Sequence, residues 1–175
     1  MPTRRTAIGC LLAAVLACAQ AWAADGLREE EIKAAFAFNF IQFTEWPPKH
    51  LETSKSLNLC VRSGGPVANE LASLVGRDVH GRPLALNRLP PDSLAGCHVV
   101  LVDAKDAGWL AQMHAELGRA PVLLMADDDR NEIPGVMITL AASGRKVVFD
   151  VDVARVRGAG LTVSSRVLRL ARAVR

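Results

Sequence analysis

The chain has 175 residues, half of them apolar and 22% charged, with 21 basic and 18 acidic side chains and a formal charge of +3. That length suits one domain plus a leader. The near balance of charge argues against a nucleic-acid or polyanion binder, which needs a concentrated basic surface.

The first 23 residues have the layout of a secretory signal peptide. Arg4 and Arg5 precede an apolar run from Cys10 to Ala21, and Ala21-Trp22-Ala23 forms a small-x-small cleavage site. Val15-Leu16-Ala17-Cys18 loosely resembles a lipobox, which would make Cys18 a lipid-modified terminus. The ordinary signal peptide is favoured, because a good cleavage site follows. Either way the protein is expected in a periplasm, with residues 24–175 as a single domain. Losing Arg4 and Arg5 leaves 19 basic against 18 acidic residues, so the mature chain is close to neutral. No later stretch approaches the roughly 20 apolar residues that span a bilayer.

From Leu27 the pattern is helical, with Glu29, Glu30 and Glu31 placing negative charge at the N-terminus and Pro47-Pro48 as the expected stop. Four of the five phenylalanines fall in the octet Phe36–Phe43. On a helical wheel Ile32, Phe36, Phe40 and Phe43 form one apolar stripe, and Phe38 and Ile41 with Ala34 form another on nearly the opposite side. A helix covering a sheet needs one stripe. The first is therefore expected to anchor the helix, and Phe38 and Ile41 to face a partner or a second subunit. Packing within the domain is the competing expectation.

Leu57–Val61 alternates as a strand, Ser63-Gly64-Gly65 turns, and Pro66 opens a short helix to Leu74. Leu84, Leu86 and Leu89 suggest a second strand. Val99–Val102 and Val122–Met125 are continuous apolar runs of the kind covered on both faces, with a helical segment from Lys105 to Leu117 between them. Val136–Leu140 and Val147–Val151 flank Ser143-Gly144 as a β-hairpin. A final helix is expected over 164–174, capped by Ser164 or Thr162. The fold class is therefore α/β: a mostly parallel sheet with helices on both faces, a C-terminal hairpin and a last helix.

Chemistry is sparse. His50, His80, His98 and His114 show no metal-ligand spacing, and no metal or cofactor is expected. Asp103 and Asp127-Asp128-Asp129 follow strands, where a crevice with Ser63 could bind a cation or small ligand; a solvated acidic loop is the simpler expectation. No nucleophile elbow or triad order is present, so the chain is not read as an enzyme. Cys60 and Cys97 are the cysteines left after export. In an oxidising compartment a disulfide is the leading expectation, with two buried thiols as the alternative. Arg166, Arg169, Arg172 and Arg175 line the expected last helix, either as a solvated face or as a docking strip for an acidic partner.

The segment Lys33-Ala34-Ala35-Phe36, Asn39-Phe40, Phe43 and Trp46-Pro47 resembles the opening motif of the YfiR-like periplasmic proteins. The likeness continues through Gly81-Arg82-Pro83-Leu84, Ala95-Gly96-Cys97-His98 and Gly135-Val136-Met137-Ile138. It extends over Lys146–Asp152 and Ala159–Leu168. The resemblance implies a non-enzymatic α/β domain. It would bind the periplasmic sensor region of a membrane-bound diguanylate cyclase and hold it inactive, as a homodimer. An OmpA-like outer-membrane lipoprotein would sequester it. It also implies a Cys60–Cys97 disulfide. The family usually has Asn in place of Asp152 and Gly-Gly in place of Pro134-Gly135, which puts partner contacts around the hairpin in question. A periplasmic small-ligand sensor using Ser63, Asp103 and Asp127 is the alternative function.

Overall fold

The computed structural model describes residues 27–89, 93–117, 120–130 and 132–175. The expected signal peptide, with Cys10 and Cys18, lies outside the described residues. Among those described, no helix is long and apolar enough to cross a membrane.

Helix α1 spans Glu29–Gln42. Its start is set by Glu31, whose carboxylate accepts the Arg28 backbone N–H at 3.0 Å. It stops several residues before Pro47. Phe43 N–H still donates to Asn39 at 2.9 Å, but Thr44–Glu45 (β1) then pairs antiparallel with Thr162–Val163 (β9). Forming that small second sheet takes the backbone out of the helix. Pro48–Leu51 forms a single turn, α2.

The main sheet contains β2 (Leu57–Val61), β3 (Asp78–Val79), β4 (Arg82–Arg88), β5 (Val99–Asp103), β6 (Leu123–Asp127), β7 (Ile138–Ser143), β8 (Lys146–Val151) and β10 (Ala173–Val174), in the order β10-β8-β7-β6-β5-β2-β4-β3. It is a mixed sheet, not the mostly parallel one expected. β2 with β4 and β5, β5 with β6, and β6 with β7 are parallel, whereas antiparallel pairs close both flanks, β3–β4 on one and β7–β8 on the other. The hairpin turn places Gly144 at φ 62°, which glycine adopts without a steric penalty.

Register fixes which helix lies on which face, because residues paired across strands share a face and neighbours along a strand alternate. Asp127, Leu140 and Phe149 pair across β6, β7 and β8 and therefore share one face. α1 lies on that face: Lys33 reaches Asp127, and Phe40 meets Phe149 edge to face at 4.8 Å. α3 (Pro66–Ala72) packs beside α1. The opposite face carries Leu124, Thr139 and Asp150. There α4 (Ala107–Leu117), entered through a 3-10 turn at Ala104–Asp106, and α5 (Val153–Gly158) close over Leu124 and Met137. Continuous burial of Val99–Val102 and Leu123–Ala126 follows from cover on both faces.

Three details depart from expectation. The last helix is only α6 (Ser165–Leu168), after which the chain turns and adds β10 to the sheet. α5 was not foreseen; Asp152 caps it by accepting from Arg155 N–H at 3.0 Å. Finally, among the described residues no helix joins β6 to β7. The crossover is organised by Asp128, 4% exposed, whose carboxylate accepts from the backbone N–H groups of Glu132 (2.7 Å) and Ile133 (2.8 Å). A parallel connection usually carries a helix, and here one carboxylate holds the loop instead.

Cys60 in β2 and Cys97, just before β5, form a disulfide with a Cα separation of 5.8 Å across 37 residues. Cys97 N–H donates to Leu94, and the adjoining His98 N–H donates to Asn58 in β2, so the bridge staples a region already tied by backbone bonds.

Candidate functional site

In the aromatic octet Phe40 anchors α1 to the sheet as expected, but the competing expectation holds for Phe38 and Ile41, which pack within the domain. Phe38 (8% exposed) and Ile41 (0%) are buried, whereas Phe43 is 41% exposed and Phe36 is half-buried. At 100° per residue, the buried positions Lys33, Ala34, Ala37, Phe38, Phe40 and Ile41 occupy a single arc of roughly 160°. Ile32, Phe36 and Phe43 lie at its rim. The arc is broad because α1 packs against two bodies, the sheet and α3. Phe38 and Ile41 therefore belong to the core of the monomer and are not a docking face. Of the motif residues, Phe40 and Trp46 are core. Trp46 donates its indole N–H to the His98 carbonyl at 3.1 Å, while Asn39 is exposed and Pro47 packs near Gly160.

At the carboxyl end of β6, Asp127 and Asp129 are not the solvated acidic loop expected but converge on Lys33, which the sequence had shown only as a motif residue. Lys33, 3% exposed, holds Asp127 (2.7 Å), Asp129 (2.6 Å) and Glu29 (2.7 Å). Burial alone would lower its pKa, but the three carboxylate partners outweigh that and raise it, so it is firmly protonated. Burial pushes the Asp127 carboxyl up against the pull of Lys33, whereas Lys33 holds the more exposed Asp129 down. Asp103 caps the 3-10 turn by accepting from Lys105 N–H at 2.8 Å, and Asp106 accepts from Ser63 Oγ at 2.5 Å. Among the described residues no three His, Cys, Asp or Glu side chains gather as a metal site. Between Ser63, Gly65, Asp103 and Asp127 only about 10 Å³ is open, whereas on the other side Asp103, Lys105, Asp127 and Asp129 border an open depression of about 260 Å³. The arrangement acts as an electrostatic clasp between α1 and the sheet. Its one sequence signal was a lysine within an otherwise apolar helical stretch.

The arginine series does not form one strip. Arg166 and Arg169 are exposed on and just after α6. Arg172 instead turns onto Asp150 in a bidentate pair (2.9 and 2.6 Å), and Arg175 lies 3.7 Å from the same carboxylate. Hydrogen bonds from Arg172 hold the Asp150 carboxyl below the usual range. Above Asp150 and its cross-strand neighbour Thr139 lies the largest cavity described, about 310 Å³, roofed by the helix-free crossover at Pro134–Val136 and rimmed by Asp152, Arg155 and Arg175. Gly135, at φ 84°, makes the turn in that roof. Both departures from the family pattern border this cavity. Asp152 serves as a helix cap, a task Asn performs equally well.

A histidine pair, His98 buried and His50 half-buried, sits at the opposite ends of β2 and β5. His98 (3% exposed) accepts the Asn58 backbone N–H on Nδ1 at 2.8 Å, which places its own proton on Nε2, donating to Ser54 Oγ at 3.0 Å. His50 stacks on it edge to face at 5.2 Å, and its buried Nε2 has no partner among the described residues. Burial, aided by His50 and Arg82, pushes His98 down to about 4.

Comparison with known families gives one match: a family model described as YfiR/HmsC-like covers residues 30–172, which is nearly all of the described chain. No curated protein matches the chain.

Proposed function

The chain belongs to the YfiR/HmsC-like family, and from that premise we propose that it is a periplasmic regulatory binding protein of cyclic-di-GMP signalling. In this reading residues 1–23 direct export. The mature domain, residues 24–175, then binds the periplasmic sensor region of an inner-membrane diguanylate cyclase and holds the enzyme inactive. The mechanism is population shift: the regulator binds the inactive sensor conformation more tightly, and a competitor that removes the regulator frees the cyclase. An OmpA-like lipoprotein is the proposed competitor, and a homodimer the proposed acting species. The observation that carries the reading is the family match across 30–172. It is consistent with the strand-end carboxylates being engaged by Lys33 and by turn capping.

A second reading, a small-ligand sensor, is favoured by the 310 Å³ cavity over Asp150 and Thr139. Its ligand would occupy that cavity and not the crevice at Ser63, Asp103 and Asp127. Two measurements separate the readings. Deleting the gene should raise cellular cyclic-di-GMP, and the purified mature chain should co-elute with the periplasmic region of the diguanylate cyclase encoded nearest to it. Unchanged cyclic-di-GMP without a complex refutes the regulatory reading, and ligand-dependent melting would then favour the second.

A further inference from the structure

We propose that the outer edge of β8 beside α1 is a docking strip that takes an extended, carboxylate-bearing segment of the partner protein as an added strand; this rests on the regulatory reading above. β8 is paired along its whole length with β7, but on its other side β10 reaches only Asp150–Val151. The carbonyls of Phe149 and Val151 accept from Arg172 and Arg175, so these two residues direct their backbone groups away from β7. Strand alternation gives Val147 the same outward direction. No described residue bonds to the outward N–H and C=O of Val147.

The surroundings suit a strand. Leu27, Ile32 and Val147 line a groove of about 120 Å³ along this edge, Leu27 is 74% exposed, and Glu29, which also lines it, is neutralised by Lys33 at 2.7 Å. Farther along, half-buried Phe36 packs on Phe149 at 5.3 Å. Every second side chain of an added strand would fall on the apolar rim of α1, and its main chain would satisfy Val147, the pattern of β-strand addition.

Charge selects the occupant. Arg145 and Lys146 are exposed at the head of the strip and form no ion pair among the described residues. Cations on a free edge resist pairing with an identical strand: twofold pairing about Val147 would set each Lys146 diagonal to the Lys146 of the other copy, a like-charge contact. An acidic segment gains from the same charges. A second copy is therefore the disfavoured guest.

The test uses the mature chain and the purified periplasmic region of the diguanylate cyclase encoded nearest to its gene. In the complex, amide exchange at Val147 should slow by about tenfold or more, and Val147→Pro, which removes an N–H facing away from β7, should weaken binding by about tenfold while the melting temperature holds. The double change Arg145→Glu, Lys146→Glu should weaken binding without touching the ladder, and it decides the matter if the proline variant does not fold. A complex that leaves Val147 exchange unchanged and binds both variants at wild-type affinity overturns the docking strip alone. Absence of any complex overturns the regulatory reading and the strip with it. Conversion of a dimer to monomer by Val147→Pro would assign the edge to a second copy, and so overturn the acidic-segment proposal.

Discussion

Acidification should destabilise this domain through one imidazole. His98 is held neutral first by burial; its Nδ1 also accepts the Asn58 backbone N–H, and a proton there would turn acceptor against donor at 2.8 Å. His50 and Arg82 add positive potential. An unfolded histidine titrates near 6.5, the folded one at about 4. Between those values the unfolded chain binds a proton that the folded chain refuses, so stability falls as pH drops and is fully present above about 6.5. At about 1.36 kcal/mol per pKa unit, the loss from pH 7 to pH 4 is about 3 kcal/mol. Urea unfolding of wild type and His98→Asn across that range isolates the effect, because the asparagine Oδ1 can accept the same N–H without titrating. Carboxylate contributions, including those of Asp129 and Asp150, are common to both proteins and cancel in the difference. Parallel pH profiles for the two proteins would refute the assignment.

Phe40→Ala, which empties a fully buried site against Phe149, should cost about 3–5 kcal/mol. Phe43→Ala, on the exposed rim, should cost under about 1 kcal/mol, and denaturant midpoints compare the two. Phe38→Asp should unfold the monomer outright by circular dichroism, because its side chain is enclosed within the domain. Replacing Cys60 and Cys97 by serine should cost about 4 kcal/mol by the loop-closure argument for 37 residues, measurable as a shift in urea midpoint. Lys33→Met leaves Asp127 facing Asp129 and Glu29 without a counter-charge; the fold should weaken by about 1–3 kcal/mol at pH 7. That loss should shrink as pH falls and Asp127 takes up a proton, so the gap to wild type narrows toward acid pH in the same titration.

The elements that could be read from the sequence are those whose signals are local. Val99–Val102 and Leu123–Met125 declare doubly covered strands by their unbroken apolarity, and Ser143-Gly144 marks the hairpin through a turn only glycine makes easily. What could not be read depends on distant partners. α1 ends at Gln42 because β9, more than a hundred residues later, claims Thr44. The wheel resolved two apolar stripes but could not show that α3 would cover the flank carrying Phe38 and Ile41. Arg172 was counted in a helical strip, yet the pull of Asp150 and a free sheet edge draw the chain out as β10. The role of Lys33 went unread because two of its three carboxylates lie nearly a hundred residues away.

The Phe40–Phe149 contact joins positions 109 residues apart. A chain made N-terminus first, at roughly 5–20 residues per second, produces its most aromatic segment several seconds before the strand that will cover it. A lone 14-residue helix is marginal in water, so during that interval the octet is a sticky, half-formed segment open to chaperones and to mispairing. The hairpin that rescues it is local and can close within microseconds once made. Biogenesis of this domain is thus timed by its own C-terminal third, and truncations there should be lost to aggregation before any question of binding arises.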